Sequence, residues 1–175
     1  MSEPCEYCGC NPCDCDWGME HVSEREIQEL LNFAKNDERF GVAFRGALSQ
    51  VRHKVHLEKL GYDVKVAQSD NQGAPDFIIE GKTVEHKRAR NELYSNGSIK
   101  VELQKSRGKV PTRLYDDGFA DFISVDVSHH TGKSNDYRYI KTNRLRKHQK
   151  YKNKIASMQE VDNSWSSDPK TILRN

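Results

Sequence analysis

Apolar and polar positions alternate along this chain in two distinct rhythms. The first opens after Ser23, where Ile27, Leu30, Leu31 and Ala34 recur at i, i+3, i+4 and i+7, the spacing of one helical face. Ser23 and Glu26 have the S-x-x-E spacing of a capping box, so a helix is expected to begin there and to be interrupted at Asn36 and Asp37. A second helix is expected over about residues 40–60. Phe44, Leu48, Val51 and Val55 mark its buried stripe, Arg45, Arg52, Lys54 and Lys59 its outer face, and Gly61 lies just past its end.

From residue 62 the period shortens to two. Residues 62–68 (YDVKVAQ) read as a strand, and the polar SDNQG that follows reads as a loop. Residues 76–79 and 83–88 should pair as a hairpin, because Gly81 between them tolerates the positive φ of a tight turn. Residues 99–104 alternate like a strand, with a short helix as the alternative. Residues 119–127 form the strongest later strand, apolar enough from Phe122 to Val127 to lie centrally, and residues 138–140 suit an edge strand. This order of elements, without internal repeats, predicts one α/β domain with a mixed sheet over residues 23–160. Before it stands a Cys-, Gly- and Asp-rich appendage (1–22), and after it a polar tail (161–175) anchored by Trp165.

Composition adds little to this outline, but the distribution of charge adds more. The chain has 175 residues, a net charge of +2 and a mean hydropathy of −0.90. No apolar run approaches the roughly 18–20 residues needed to span a bilayer, and the N-terminus lacks a secretory signal, so an intracellular protein is expected. Residues 1–38 carry ten acidic and two basic side chains, whereas residues 137–155 carry eight Lys/Arg and no acid. Tyr137, Tyr139 and Tyr151 are interleaved among those cations, a pattern that suits phosphate tracking with stacking, or equally a solvated basic surface. Arg144 and Lys147 within it are candidate nucleic-acid contacts.

The five cysteines all fall within residues 5–15, which is no disulfide framework spread across a fold. Cys5, Cys8, Cys10 and Cys13 form two C-x2-C halves that together offer one structural Zn2+ a tetrahedral thiolate set. A tail that binds nothing specific is the alternative. His53 and His56 on the second helix, and His129 and His130 after the late strand, have no catalytic constellation around them.

The candidate chemistry lies in A-P-D-F-I-I-E-G-K-T-V-E-H-K, residues 74–87. Residues two apart on a strand share a face, so Glu85 and Lys87 project together while His86 points away. Asp76, opening the preceding strand, can come level with Glu85 across the hairpin. Two carboxylates suit a hard cation such as Mg2+ (or Mn2+), with the backbone carbonyl of His86 as a further ligand, and a lysine beside them can orient water or neutralise charge on a phosphate. A surface hairpin carrying an ordinary cross-strand Glu–Lys pair is the plainer alternative.

Pro75-Asp76, eight intervening residues and Glu85-His86-Lys87 also resemble the PD-(D/E)XK nuclease signature, of restriction-endonuclease-like, phage or mobile-element type. The resemblance spans about residues 40–127. It implies a restriction-endonuclease-like core, a mixed central β-sheet flanked by helices, and Mg2+-dependent cleavage of DNA. Asp76 and Glu85 would then be metal ligands and Lys87 the catalytic lysine. Some members carry another acid on the first core helix. This chain offers Gln50 there, with Glu58 one to two turns later, which leaves the metal count open. The resemblance also suggests Gln104 as a catalytic-site residue and Arg107 and Arg113 as phosphate contacts. Many such small nucleases act as dimers, so a homodimer is a further expectation. The competing expectation is a non-catalytic, zinc-bearing nucleic-acid-binding protein.

Overall fold

The computed structural model describes residues 22–67, 74–105 and 108–173. The cysteine cluster and Arg107 lie outside these residues. The chain divides into two compact units, Met1–Arg45 and Gly46–Asn175. In the first, helix α1 (Glu24–Asn36) begins at the expected cap: Ser23 Oγ accepts from the Glu26 amide, and the Glu26 carboxylate accepts from the Ser23 amide. Helix α2 starts at Glu38 and runs to Lys59, crossing from the first unit into the second. At Gly41 a Cβ would stand 2.4 Å from the carbonyl oxygen of Ala34, so the turn between the helices requires a glycine there.

The second unit is built on a five-stranded sheet in the order β1-β2-β3-β5-β6, with β1 Val64–Val66, β2 Phe77–Ile79, β3 Lys82–Arg88, β5 Phe122–Asp126 and β6 Tyr137–Lys141. The sheet is mixed, because β3 and β5 run parallel and the other pairs antiparallel. The expected hairpin is β2–β3, closed by Glu80 and Gly81, both at positive φ (49° and 77°), the backbone of a two-residue hairpin turn. Residues 99–104 do supply a strand, β4 (Ile99–Glu102). It pairs outside the main sheet with β7 (Met158–Val161), a strand the sequence pattern did not reveal.

Every residue of β5 is buried, as a strand covered on both faces must be. Its alternation sorts the core into two. Ile123, Val125 and Val127 join Val101, Leu103, Tyr115, Ile155 and Trp165 on one face. Phe122 lies on the other with Leu57 of α2, Phe77, Ile79, Val84, Tyr137, Tyr139 and Ile172. The segment after β7 therefore contributes to both faces, through Trp165 and Ile172.

Two expectations are corrected here. Val51 and Val55 of α2 are exposed, and apart from Gly41 the buried positions are Ser49, His53 and Leu57, at i, i+4 and i+8. The reason lies beneath the helix, where the sheet presents His86, Ser124 and Asp126. The face carrying Ser49 turns inward, and an apolar stripe there would have left His86 Nε2 and Asp126 Oδ2 without their Ser49 partner. Tyr137 and Tyr139, expected to interleave with cations at the surface, are core residues of β6. Among the described residues no helix is long and apolar enough to cross a membrane.

Candidate functional site

The register of β2 against β3 sets Phe77 opposite Val84, which leaves Asp76, one residue earlier, level with Glu85. The Asp76 carboxylate accepts the backbone N–H of His86 at 2.9 Å. Glu85 and Lys87 point to the same face of β3 and form an ion pair, while His86 is buried on the other face. Asp76, Glu85 and Lys87 are therefore brought together as the strand period required.

Glu85 is nearly inaccessible, its side chain 5% exposed, whereas Lys87 remains 25% exposed. The hydroxyl of Tyr115 donates to Glu85 Oε1 at 2.5 Å, the oxygen that also takes the Lys87 ammonium. Lys87 lies over the Tyr115 ring, 5.5 Å from its centroid. Beside Asp76 a cleft of about 350 Å3 is lined by Gln50, Lys54, Ala67, Pro75 and Phe77, among others.

Electrostatics match this geometry. Burial, then the neighbouring Glu85 charge, pushes the Asp76 carboxyl up to about 6, against weaker opposition from Lys87, the His86 amide and a hydrogen bond from Gln50. Burial alone would lower the Lys87 ammonium, but Glu85, Tyr115 and Asp76 outweigh it and hold lysine firmly charged. Burial, then Glu85, raises the Tyr115 phenol, so it remains a donor. The cluster is a crowded carboxylate pair with one fixed cation, and a divalent ion would relieve its repulsion.

A polar network underlies β3 on its other face. Ser49 Oγ donates to Asp126 Oδ2 and meets His86 Nε2, both at 2.8 Å, and His86 Nδ1 meets Ser124 Oγ at 2.9 Å. His53 stacks on His86 with centroids 4.5 Å apart and meets the Tyr139 hydroxyl at 3.0 Å. Burial, then Lys87, brings the His86 imidazole down to about 3, and burial, then His86, puts His53 well below the ordinary histidine range. Both rings are neutral. They serve as packing and hydrogen-bonding groups that fix the backbone from which Glu85 and Lys87 project.

The other candidate residues have partners of their own. Gln104 donates to Glu102, which also pairs with Arg90, and bridges to Leu114; none of its described hydrogen bonds reaches the Asp76 cluster. Arg113 donates through Nε to the Lys105 carbonyl at 3.0 Å. Arg144 is exposed in a 3-10 turn after β6 (Thr142–Arg144). Lys147 is ion-paired with Asp117, and Lys154 with Asp116, so acids from the 116–117 turn neutralise part of the basic stretch. Glu58 pairs with Lys54 along α2, whereas Gln50 reaches Asp76. Ser49, His53 and Tyr115 went unrecognised as site residues in the sequence, because each reaches the site from 30 or more residues away with no spacing to announce it.

Among the described residues no group of three or more His, Cys, Asp or Glu side chains is arranged to hold a metal. A site at Asp76 and Glu85 would complete its shell with backbone oxygen and water, which is how Mg2+ is commonly held. Neither a protein-family model nor a curated protein matches this chain. Among solved structures a bacterial homing endonuclease, I-Ssp6803I, matches over 69% of this chain and 77% of that chain, with 16% identity and a TM-score of 0.48. A likeness that distant carries no functional argument. What the chain does must be read from its own side chains.

Proposed function

We propose that this protein is a divalent-metal-dependent endonuclease hydrolysing DNA phosphodiester bonds, with Asp76, Glu85 and Lys87 as its reacting group. What supports this is the meeting of those three side chains, from the start of β2 and one face of β3, with Asp76 also lining a cleft. Asp76, Glu85 and the backbone carbonyl of His86 would hold Mg2+ or Mn2+. Bound there, the ion supplies Lewis acidity toward a phosphoryl oxygen and toward water. Asp76 sits at the cleft and is the carboxylate that first meets an entering cation. Lys87, partly exposed and fully charged, orients the attacking water or stabilises the negative charge that develops on the phosphate. Glu85 ties the two functions together, because its carboxylate is at once a ligand and the counter-ion of Lys87.

The selection of DNA follows from the resemblance of residues 75–87 to PD-(D/E)XK nucleases. The exposed Arg144 is a candidate for tracking the backbone. A homodimer would let two such sites cut both strands.

The test is nicking of supercoiled plasmid by purified wild type and Lys87→Ala, with Mg2+ or with EDTA. Cutting by wild type in Mg2+ alone, reduced on the order of 100-fold or more in Lys87→Ala, is expected. DNA that is bound but not cut under any condition would favour a non-catalytic binding protein instead.

A further inference from the structure

Glu85 is held by more than its lysine. Tyr115 belongs to a loop well away in sequence, yet it is 5% exposed and its carbonyl accepts from the Ile155 amide at 3.0 Å. Its ring lies flat on Phe119, with centroids 3.9 Å apart and planes 3° from parallel. On its far edge the hydroxyl donates to Glu85 Oε1 at 2.5 Å. A tyrosine clamped in this way has almost no freedom to follow its partner, so the carboxylate must conform to the hydroxyl.

We propose that Tyr115, clamped by Phe119, is a positioning residue that orients Glu85 for the cation; this rests on the metal-dependent reading of the Asp76–Glu85 pair. The geometry gives the reason. Lys87 and Tyr115 both address the same oxygen, Oε1. Two donors on one oxygen fix the rotation of the carboxylate about its last bond and direct Oε2 away from them. Lys87 alone, on four rotatable bonds, could bridge both oxygens and close the carboxylate to a metal. Tyr115 prevents that collapse, and its ring also gives the ammonium a resting place. Groups that orient metal ligands in this way typically contribute about 10–100-fold in metal affinity or activity.

The experiment is calorimetric titration of Mn2+ into the full chain, without DNA, for wild type, Glu85→Gln, Tyr115→Phe and Phe119→Leu, with urea unfolding measured in parallel. Glu85→Gln should abolish the site, which identifies the binding event. Tyr115→Phe keeps the stack and removes only the donor, and it should weaken Mn2+ binding about 10–100-fold. Phe119→Leu keeps the hydroxyl and loosens the clamp, and should weaken binding by a smaller factor. A tyrosine that merely satisfied a buried carboxylate would change the unfolding midpoint and leave Mn2+ affinity alone, and that result overturns the proposal. If Tyr115→Phe fails to fold, unchanged affinity in Phe119→Leu overturns it equally. Wild type that binds no Mn2+, or binds it no differently from Glu85→Gln, would instead defeat the metal reading itself.

Discussion

Two neutral histidines sealed beneath a carboxylate cluster give this fold an unusual acid response. His86 titrates at about 6.5 when unfolded and near 3 when folded. As pH falls through 6.5 the unfolded chain binds a proton that the folded chain refuses, so stability is full above that value and is lost below it. Between about pH 7.5 and pH 5 this costs about 2 kcal/mol. His53 is shifted the same way by burial and by His86, and adds to the loss. Asp76 opposes both. Its folded value, raised to about 6, means that the folded chain takes up a proton the unfolded chain does not, returning about 1.4 kcal/mol over the same range. Urea unfolding of wild type, Asp76→Asn and His53→Phe at the two pH values separates these contributions, because surface carboxylates common to all three cancel. Asp76→Asn should lose about 1.4 kcal/mol more than wild type on acidification, and His53→Phe should lose less than wild type. Parallel losses in wild type and Asp76→Asn would refute the claim that burial and Glu85 raise Asp76.

Further outcomes follow from single contacts. Ser49→Ala removes the hydroxyl that joins His86 to Asp126 and should cost about 1–3 kcal/mol in urea unfolding, since both partners stay buried. Gly41→Ala places a methyl against the Ala34 carbonyl and should speed amide exchange across the α1–α2 turn, with a penalty of about 1–3 kcal/mol. Arg144→Ala should weaken DNA binding at every sequence tested and lower the slope of log affinity against log salt by about 1. Lys147→Ala should change that slope less, because Lys147 is already paired with Asp117.

The hairpin, its turn and the shared face of Glu85 and Lys87 were legible because strand period and turn chemistry are local. Ser23 and Glu26 announced their helix for the same reason. The inward face of α2 was not legible. Periodicity favours Val51 and Val55, but what selects the face is a polar surface built from β3 and β5, dozens of residues away. Tyr115 was hidden likewise, since a loop residue meets Glu85 only after the chain has folded around β4 and β7. The basic run at 137–155 misled in part because a charge count ignores partners. Asp116, Asp117 and Asp136 claim Lys154, Lys147 and Arg138, and two of its tyrosines belong to the core.

The plasmid-nicking rate as a function of Mg2+, for wild type and Asp76→Asn, decides whether Asp76 and Glu85 hold a metal with which Lys87 cuts DNA. Wild type should show a rate that rises and saturates with Mg2+ and vanishes in EDTA, and Asp76→Asn should lose it on the order of 100-fold or more at every Mg2+ concentration. Nicking that survives EDTA, or that Asp76→Asn leaves unchanged, would contradict that assignment.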